Sequence, residues 1–181
     1  MGKTYPVIDD ALRKFIQDQH VFFVGSAPLG GDGHVNVSPK GLDTLCVLGQ
    51  TTVAYLDLTG SGIETVAHVK ENGRIVLMLC AFEGLPKVLR LYGRGRVVEP
   101  RQAEYSELLA RFRRQEGARS IVLVELSKIT LSCGYGVPLL KYEGERAELD
   151  AWAQRKGVEG LNAYREKNNG KSVDGLPGLE F

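Results

Sequence analysis

Cysteine is scarce in this 181-residue chain: Cys46, Cys80 and Cys133 are widely separated and odd in number. That excludes a disulfide framework and points to a reducing compartment. Histidine is equally sparse. His20, His34 and His68 show no ligand spacing and no two cysteines lie close, so no metal site is expected. HExxH, GxSxG and P-loop patterns are absent, and nothing nominates a protein nucleophile; catalytic side chains stay unassigned. An excess of one charge is lacking too. The net charge of +1 gives no drive toward nucleic acid or anionic membranes. The longest apolar run, residues 75–82, is far shorter than the roughly 20 residues a bilayer requires. Residues 1–6 carry no apolar signal region, and Pro6 stands where a myristoylation pattern needs Ser or Thr. The expectation is a cytoplasmic protein with no membrane or nucleic-acid partner.

What is present is a succession of short apolar runs separated by turn signals. Asp9 or Asp10 caps a first helix to about Gln19, with Leu12, Phe15 and Ile16 on one face. Strands are expected at 21–26, 34–38, 45–48 and 52–56, the last two joined by a Gly49-Gln50 hairpin turn. A helix from near Ser61 stops at Asn72-Gly73. Strands follow at 74–82, 88–98 (bent or bulged where Gly93 and Gly95 alternate with arginines) and 120–126, with a helix over 102–114 before the last. After Cys133 the tail turns polar and helical, and 170–181 reads as extended. Consecutive strands with few helices argue for a closed antiparallel barrel or sandwich.

The most informative stretch is Asp57-Leu58-Thr59-Gly60-Ser61-Gly62-Ile63-Glu64-Thr65, a strand end, a glycine and hydroxyl turn, and a helix start. Such a turn offers backbone N–H groups and hydroxyls at the positive end of a helix dipole, where a phosphate can bind. Its spacing imitates a dinucleotide fingerprint, but the third glycine is missing and the context is β-rich. A plain helix cap by Ser61 or Thr59, with Glu64 in the first turn, accounts for the same residues and leaves other N–H groups free. Lys40, in Ser38-Pro39-Lys40-Gly41, and Arg90 are the nearby cations this reading uses. Arg90, Arg94 and Arg96 share one strand face. Arg111, Arg113, Arg114 and Arg119 read as a solvated basic cluster complementing a helix C-terminus.

Together, residues 35–41, 55–65, 74–78 and 89–93 resemble the pyridoxamine 5′-phosphate oxidase-like FMN-binding split barrels, in the right order over roughly residues 8–130. The resemblance implies a mainly β (α+β) fold, a six-stranded antiparallel split β-barrel with flanking helices. It implies a homodimer with FMN in a cleft at the subunit interface. The barrel would span 1–140, and 141–181 would pack as a helical and extended tail on the barrel or the partner. Val37, Ser38, Pro39, Lys40 and Gly41 would line the cofactor from one strand. Asp57, Thr59, Gly60 and Ser61 would serve the phosphate loop, and Arg90 would match the arginine of the family's Gln-Val-Arg strand. Val88 stands in place of that glutamine, and Gly62 and Ile63 replace the basic pair of the family's Ser-Arg-Lys motif. The oxidase's C-terminal substrate pattern is absent, which argues against pyridoxamine phosphate as substrate. Tyr135 and Trp152 are candidates to cap the flavin. The leading expectation is an FMN-dependent oxidoreductase exchanging hydride with a small molecule or a nicotinamide. The alternatives are a flavin- or haem-binding carrier or sensor without turnover, and an F420-dependent reductase.

Overall fold

A computed structural model of the chain describes residues 2–181. Its first strand is β1 (Lys3–Tyr5), followed by helix α1 (Asp10–Gln17), whose start is fixed when Asp9 Oδ1 accepts the Leu12 N–H at 2.8 Å. Next come β2 (Phe22–Ser26), β3 (Asn36–Lys40), β4 (Leu45–Val47) and β5 (Thr52–Leu58). Helix α2 (Glu64–Asn72) ends at Gly73, whose left-handed φ of 71° is the conformation a C-terminal stop requires. The remaining elements are β6 (Arg74–Cys80), β7 (Lys87–Val98), α3 (Tyr105–Leu109), β8 (Ala118–Cys133) and α4 (Glu148–Asn168), the last interrupted at Gly157.

All eight strands belong to one antiparallel sheet in the order β3-β2-β6-β7-β8-β5-β4, with β1 added on β8. The count is eight where the resemblance implied six: β4 answers the short strand expected at 45–48, and β1 is a marginal strand that the apolar runs did not announce. The long β8 pairs with β7 along its length, with β5 through its first half and with β1 through its second. The sheet curls until Lys40 of β3 reaches Asp57 of β5, 3.2 Å away, although no ladder joins those two strands among the described residues. That unladdered seam is the split in the barrel.

Register sorts the residues of the sheet onto two faces. Ser38, Val24, Leu77, Leu91 and Ile129 form one row across five strands. The four apolar members of the row are almost wholly buried inside the barrel, each contributing about 1.5–3 kcal/mol. Pro39, Phe23, Met78 and Arg90 form the neighbouring row on the outer face. A second cluster, with Leu56, Ile121, Tyr105 and Phe112, lies under α3 on the outside of β5 and β8.

Two expectations are corrected. The helix expected over 102–114 shrinks to 105–109. Bonds from Tyr105 to Gln102 and from Phe112 to Leu109 tighten the chain into three-residue turns on both sides. The bend near Gly93 is present, but the extra residue sits on the partner strand, between Leu126 and Lys128 of β8. At Gly93 itself a Cβ would come 2.3 Å from the Glu125 carbonyl, so only glycine fits. No helix among the described residues is long and apolar enough to cross a membrane.

Candidate functional site

Strand alternation sends Asn36, Ser38 and Lys40 to the inner face of β3, toward α2 and β5. Asn36 donates to Thr65 Oγ1 at 2.9 Å, and Ser38 donates to Asn36 Oδ1 at 3.1 Å. Lys40 Nζ donates to Asp57 Oδ1. Deeper along the same seam, Ser26 Oγ lies 3.0 Å from His68 Nδ1. Tyr55 is fully buried under Lys40, and its hydroxyl has no partner among the described residues.

Asp57 organises this seam. A β-bulge at Asp57/Leu58 leaves Arg119 as the extra residue of β8, and its side chain turns onto the carboxylate. Arg119 Nε donates to Asp57 Oδ2 at 2.7 Å, with both side chains almost completely buried. Burial alone would raise the Asp57 pKa. The opposing charges of Arg119 and then Lys40 win and hold it at about 2. Asp57 is therefore an anion at neutral pH, clamped between two cations.

Arg119 also reaches the glycine turn. It donates to the Gly60 carbonyl at 2.9 Å and to the Gly62 carbonyl at 2.7 Å. Asn169, fully buried after α4, donates to the Gly60 carbonyl at 2.9 Å and the Ser61 carbonyl at 3.3 Å. Three successive carbonyls thus converge on two buried donors. In a planar trans peptide the next N–H points the opposite way. The amides of Ser61, Gly62 and Ile63 are therefore turned away from Arg119 and Asn169, and none donates to a protein acceptor among the described residues.

The expected cap is not formed. Ile63 occupies the N-cap position of α2 and makes no side-chain cap bond. Thr59 instead donates to the Gly117 carbonyl and accepts from Arg165 Nε at 2.9 Å. Burial, aided by repulsion from Arg119, lowers the pKa of Arg165. The first turn of α2 is thus open, a ready place for an anion. One acid shares it: Glu64 lies beside Gly62 and accepts the Val173 N–H at 3.3 Å.

Of the sequence-derived set, Ser38, Lys40, Asp57, Thr59, Gly60 and Ser61 gather along this seam through Asn36, Arg119 and Asn169. Gly41 follows at the end of β3, under the His20 carbonyl. Val37, Pro39 and Arg90 face outward instead. Arg90 donates to Ser132 Oγ at 3.1 Å and lies three strands from β3, so within one chain it faces a different space from Lys40. Arg94 donates to the Asn72 carbonyl and Arg96 forks onto Glu104, so the arginine face of β7 is made of separately satisfied groups. Trp152 packs edge-on against Tyr164, and Tyr135 is 85% exposed.

Sequence reasoning missed Arg119, Arg165 and Asn169. Arg119 was grouped with a solvated basic cluster, but it is the buried partner of Asp57. Its position directly before the apolar run 120–124 was the available signal. Arg165 and Asn169 carried none, because their partners lie about a hundred residues away.

The pyridoxamine 5′-phosphate oxidase family model matches residues 8–133. An Aspergillus flavus relative, the pyridoxamine 5′-phosphate oxidase family protein ustO, is 39% identical over 193 aligned positions, which span 97% of this chain and 77% of that protein. Among solved structures, HupZ of Group A Streptococcus superposes with a TM-score of 0.54 at 18% identity, covering 67% of this chain and 91% of that one. A candidate pyridoxamine 5′-phosphate oxidase from Lactobacillus delbrueckii gives a TM-score of 0.54 at 17% identity, covering 70% and 98%. Both share the curled sheet.

Proposed function

We propose, from the premise that this chain belongs to the pyridoxamine 5′-phosphate oxidase family, that it is a flavoprotein seating FMN at the Lys40–Ser61 seam and working as an oxidoreductase on a small molecule or a nicotinamide. The observation that carries this reading is the inward turn of the Gly60, Ser61 and Gly62 carbonyls onto Arg119 and Asn169. It leaves three outward amides before an uncapped helix, which suits phosphate oxygens. Bound, the flavin would supply hydride chemistry that no side chain of this protein offers. The chain's part is to bind and orient. Lys40 supplies a cation whose position Asp57 fixes, and Arg119 and Asn169 hold the loop carbonyls out of the way. Glu64 trims the positive field and favours a seat that is selective rather than strongly basic.

We further propose a homodimer in which the outer face of β3 meets its partner. Val35 is 73% exposed and Val37 65% exposed, an uncovered apolar edge. Arg90 lies on the outer face, so it would reach a flavin only across that boundary. The purified protein should be yellow, with an absorbance band at about 450 nm from bound flavin. It should sediment at twice the chain mass, and mass spectrometry should identify the released group as FMN. A colourless protein that takes up no added FMN contradicts the flavin reading, release of F420 contradicts the choice of cofactor, and a monomer at micromolar concentration contradicts the dimer.

A further inference from the structure

We infer that the chain carries a chamber beside the proposed flavin seat that binds an uncharged aromatic compound of two or more rings. A cavity of about 1180 Å³ lies between the end of α1, the β3–β4 turn, the β6–β7 loop and residues 140–149. Ligand sites for drug-sized molecules usually measure roughly 300–1,000 Å³, so this space exceeds what a single ring fills. Its apolar surface comes from Phe15, Phe23, Phe82, Leu85, Leu140 and Leu149, residues of four separate parts of the chain.

Charge argues for a neutral occupant. The acidic and basic side chains lining the cavity number four of each, so no net field selects an ion. The wall argues for rings. His20 and Tyr142 stack face to face there, with centroids 3.5 Å apart and planes 7° from parallel. Flat π-surfaces of that kind accept another ring in offset stacking.

Two backbone features support a ligand-handling role. The segment between β8 and α4 has no regular structure where it covers the cavity. It is tied to the opposite wall by the Leu140 N–H to the Phe82 carbonyl and by the Tyr142 N–H to Glu83, both at 3.0 Å. Few tethers of this sort let a covering segment open and close. Across the cavity, Leu42 and Asp43 both hold left-handed backbone, with φ of 60° and 54°. Such strain in consecutive non-glycine residues is costly and concentrates at binding sites. Pro39, Lys40 and Gly41 line this cavity, and Lys40 also reaches into the seam described above, with Gly41 at its end. An aromatic compound held here would lie next to the cofactor; that it is the substrate rests on the flavin reading, whereas its binding does not.

The test uses flavin-free full-length protein and the neutral fluorophore N-phenyl-1-naphthylamine. Native protein should bind one molecule per chain, with enhanced and blue-shifted emission. Leu140→Asp and Leu85→Asp place a carboxylate in the apolar lining at positions 54% and 75% exposed, so the fold tolerates them. Each should weaken fluorophore binding roughly tenfold or more while leaving FMN affinity within about twofold. Absence of binding, binding by both variants as tight as by the native protein, or loss of the fluorophore as rising protein concentration drives chains together overturns the chamber; the last result means a second copy fills it. FMN titration of the same samples is a separate readout. Fluorophore binding without FMN binding removes the proposed function and leaves the chamber, and the converse removes the chamber alone.

Discussion

Replacing Arg119 by methionine should lower the unfolding free energy by about 3–5 kcal/mol, the usual cost of stranding a buried charge. For a chain of this size that is a fall in melting temperature of roughly 10 °C. The guanidinium is 5% exposed and serves three acceptors: the Asp57 carboxylate and the Gly60 and Gly62 carbonyls. Methionine fills similar space but supplies no donor. Asp57 would keep Lys40 as its one counter-charge, with only the Ser120 hydroxyl donating beside it, and the loop carbonyls would be free to turn outward, taking their amides with them. FMN uptake should disappear with the loop geometry. Arg119→Lys should recover only part of the stability, because one ammonium cannot fork across a carboxylate and two carbonyls. The pH dependence has a fixed sign. The Asp57 pKa is about 2 in the folded chain and about 3.9 when unfolded. Its stabilisation is therefore complete above the unfolded value and lost as pH falls toward the folded one, an effect of about 2–3 kcal/mol. Removing Arg119 takes away the main opposing charge while burial persists, so the folded pKa rises and acid unfolding moves to higher pH. Thermal melts and an acid titration check both; a variant that melts and acid-unfolds like the native protein contradicts this role for Arg119.

Lys40→Met and Glu64→Gln should shift FMN affinity in opposite directions. Lys40 is 22% exposed and retains donors beyond the one used by Asp57. A charge-assisted bond to phosphate contributes about 1.5–3 kcal/mol, so its loss should weaken FMN roughly 10- to 100-fold. Glu64 places a carboxylate beside Gly62, in the turn where the phosphate is proposed to sit. Its neutral amide should tighten FMN binding several-fold, by about 1 kcal/mol, through relief of repulsion. The folds should survive, because Asp57 keeps Arg119 in the first variant and, in the second, a glutamine of the same shape replaces the half-buried Glu64 at the helix start. Flavin fluorescence quenching reads both constants. Changes in the same direction would mean that neither side chain acts through the phosphate charge.

Local chemistry made much of this fold readable before any coordinates. Asp9 as a cap, Gly73 as a stop and the tight turn before Thr52 are each decided by residues within a few positions of the feature. The glycine and hydroxyl turn between β5 and α2 was legible as a turn for the same reason. What escaped was set by distance. Arg119 reaches Asp57 only because one bulge shifts register by a residue, and no periodicity announces a bulge. Thr59 looked like a cap, but its hydroxyl is taken by Gly117 and Arg165, partners that folding alone brings near. Arg90 was grouped with Lys40 through its match to the arginine of the family's Gln-Val-Arg strand. Strand parity and sheet order put them on opposite faces.

The account stands most directly on whether the chain recognises a phosphate at the turn after β5. Parallel titrations of flavin-free protein with FMN and with riboflavin decide it, since the two ligands differ only in that group. FMN should bind roughly 100-fold tighter or more, as expected for several charge-assisted bonds, and the gap should narrow as salt is added. Equal affinity for the two, or no binding of either, would contradict the proposed seat.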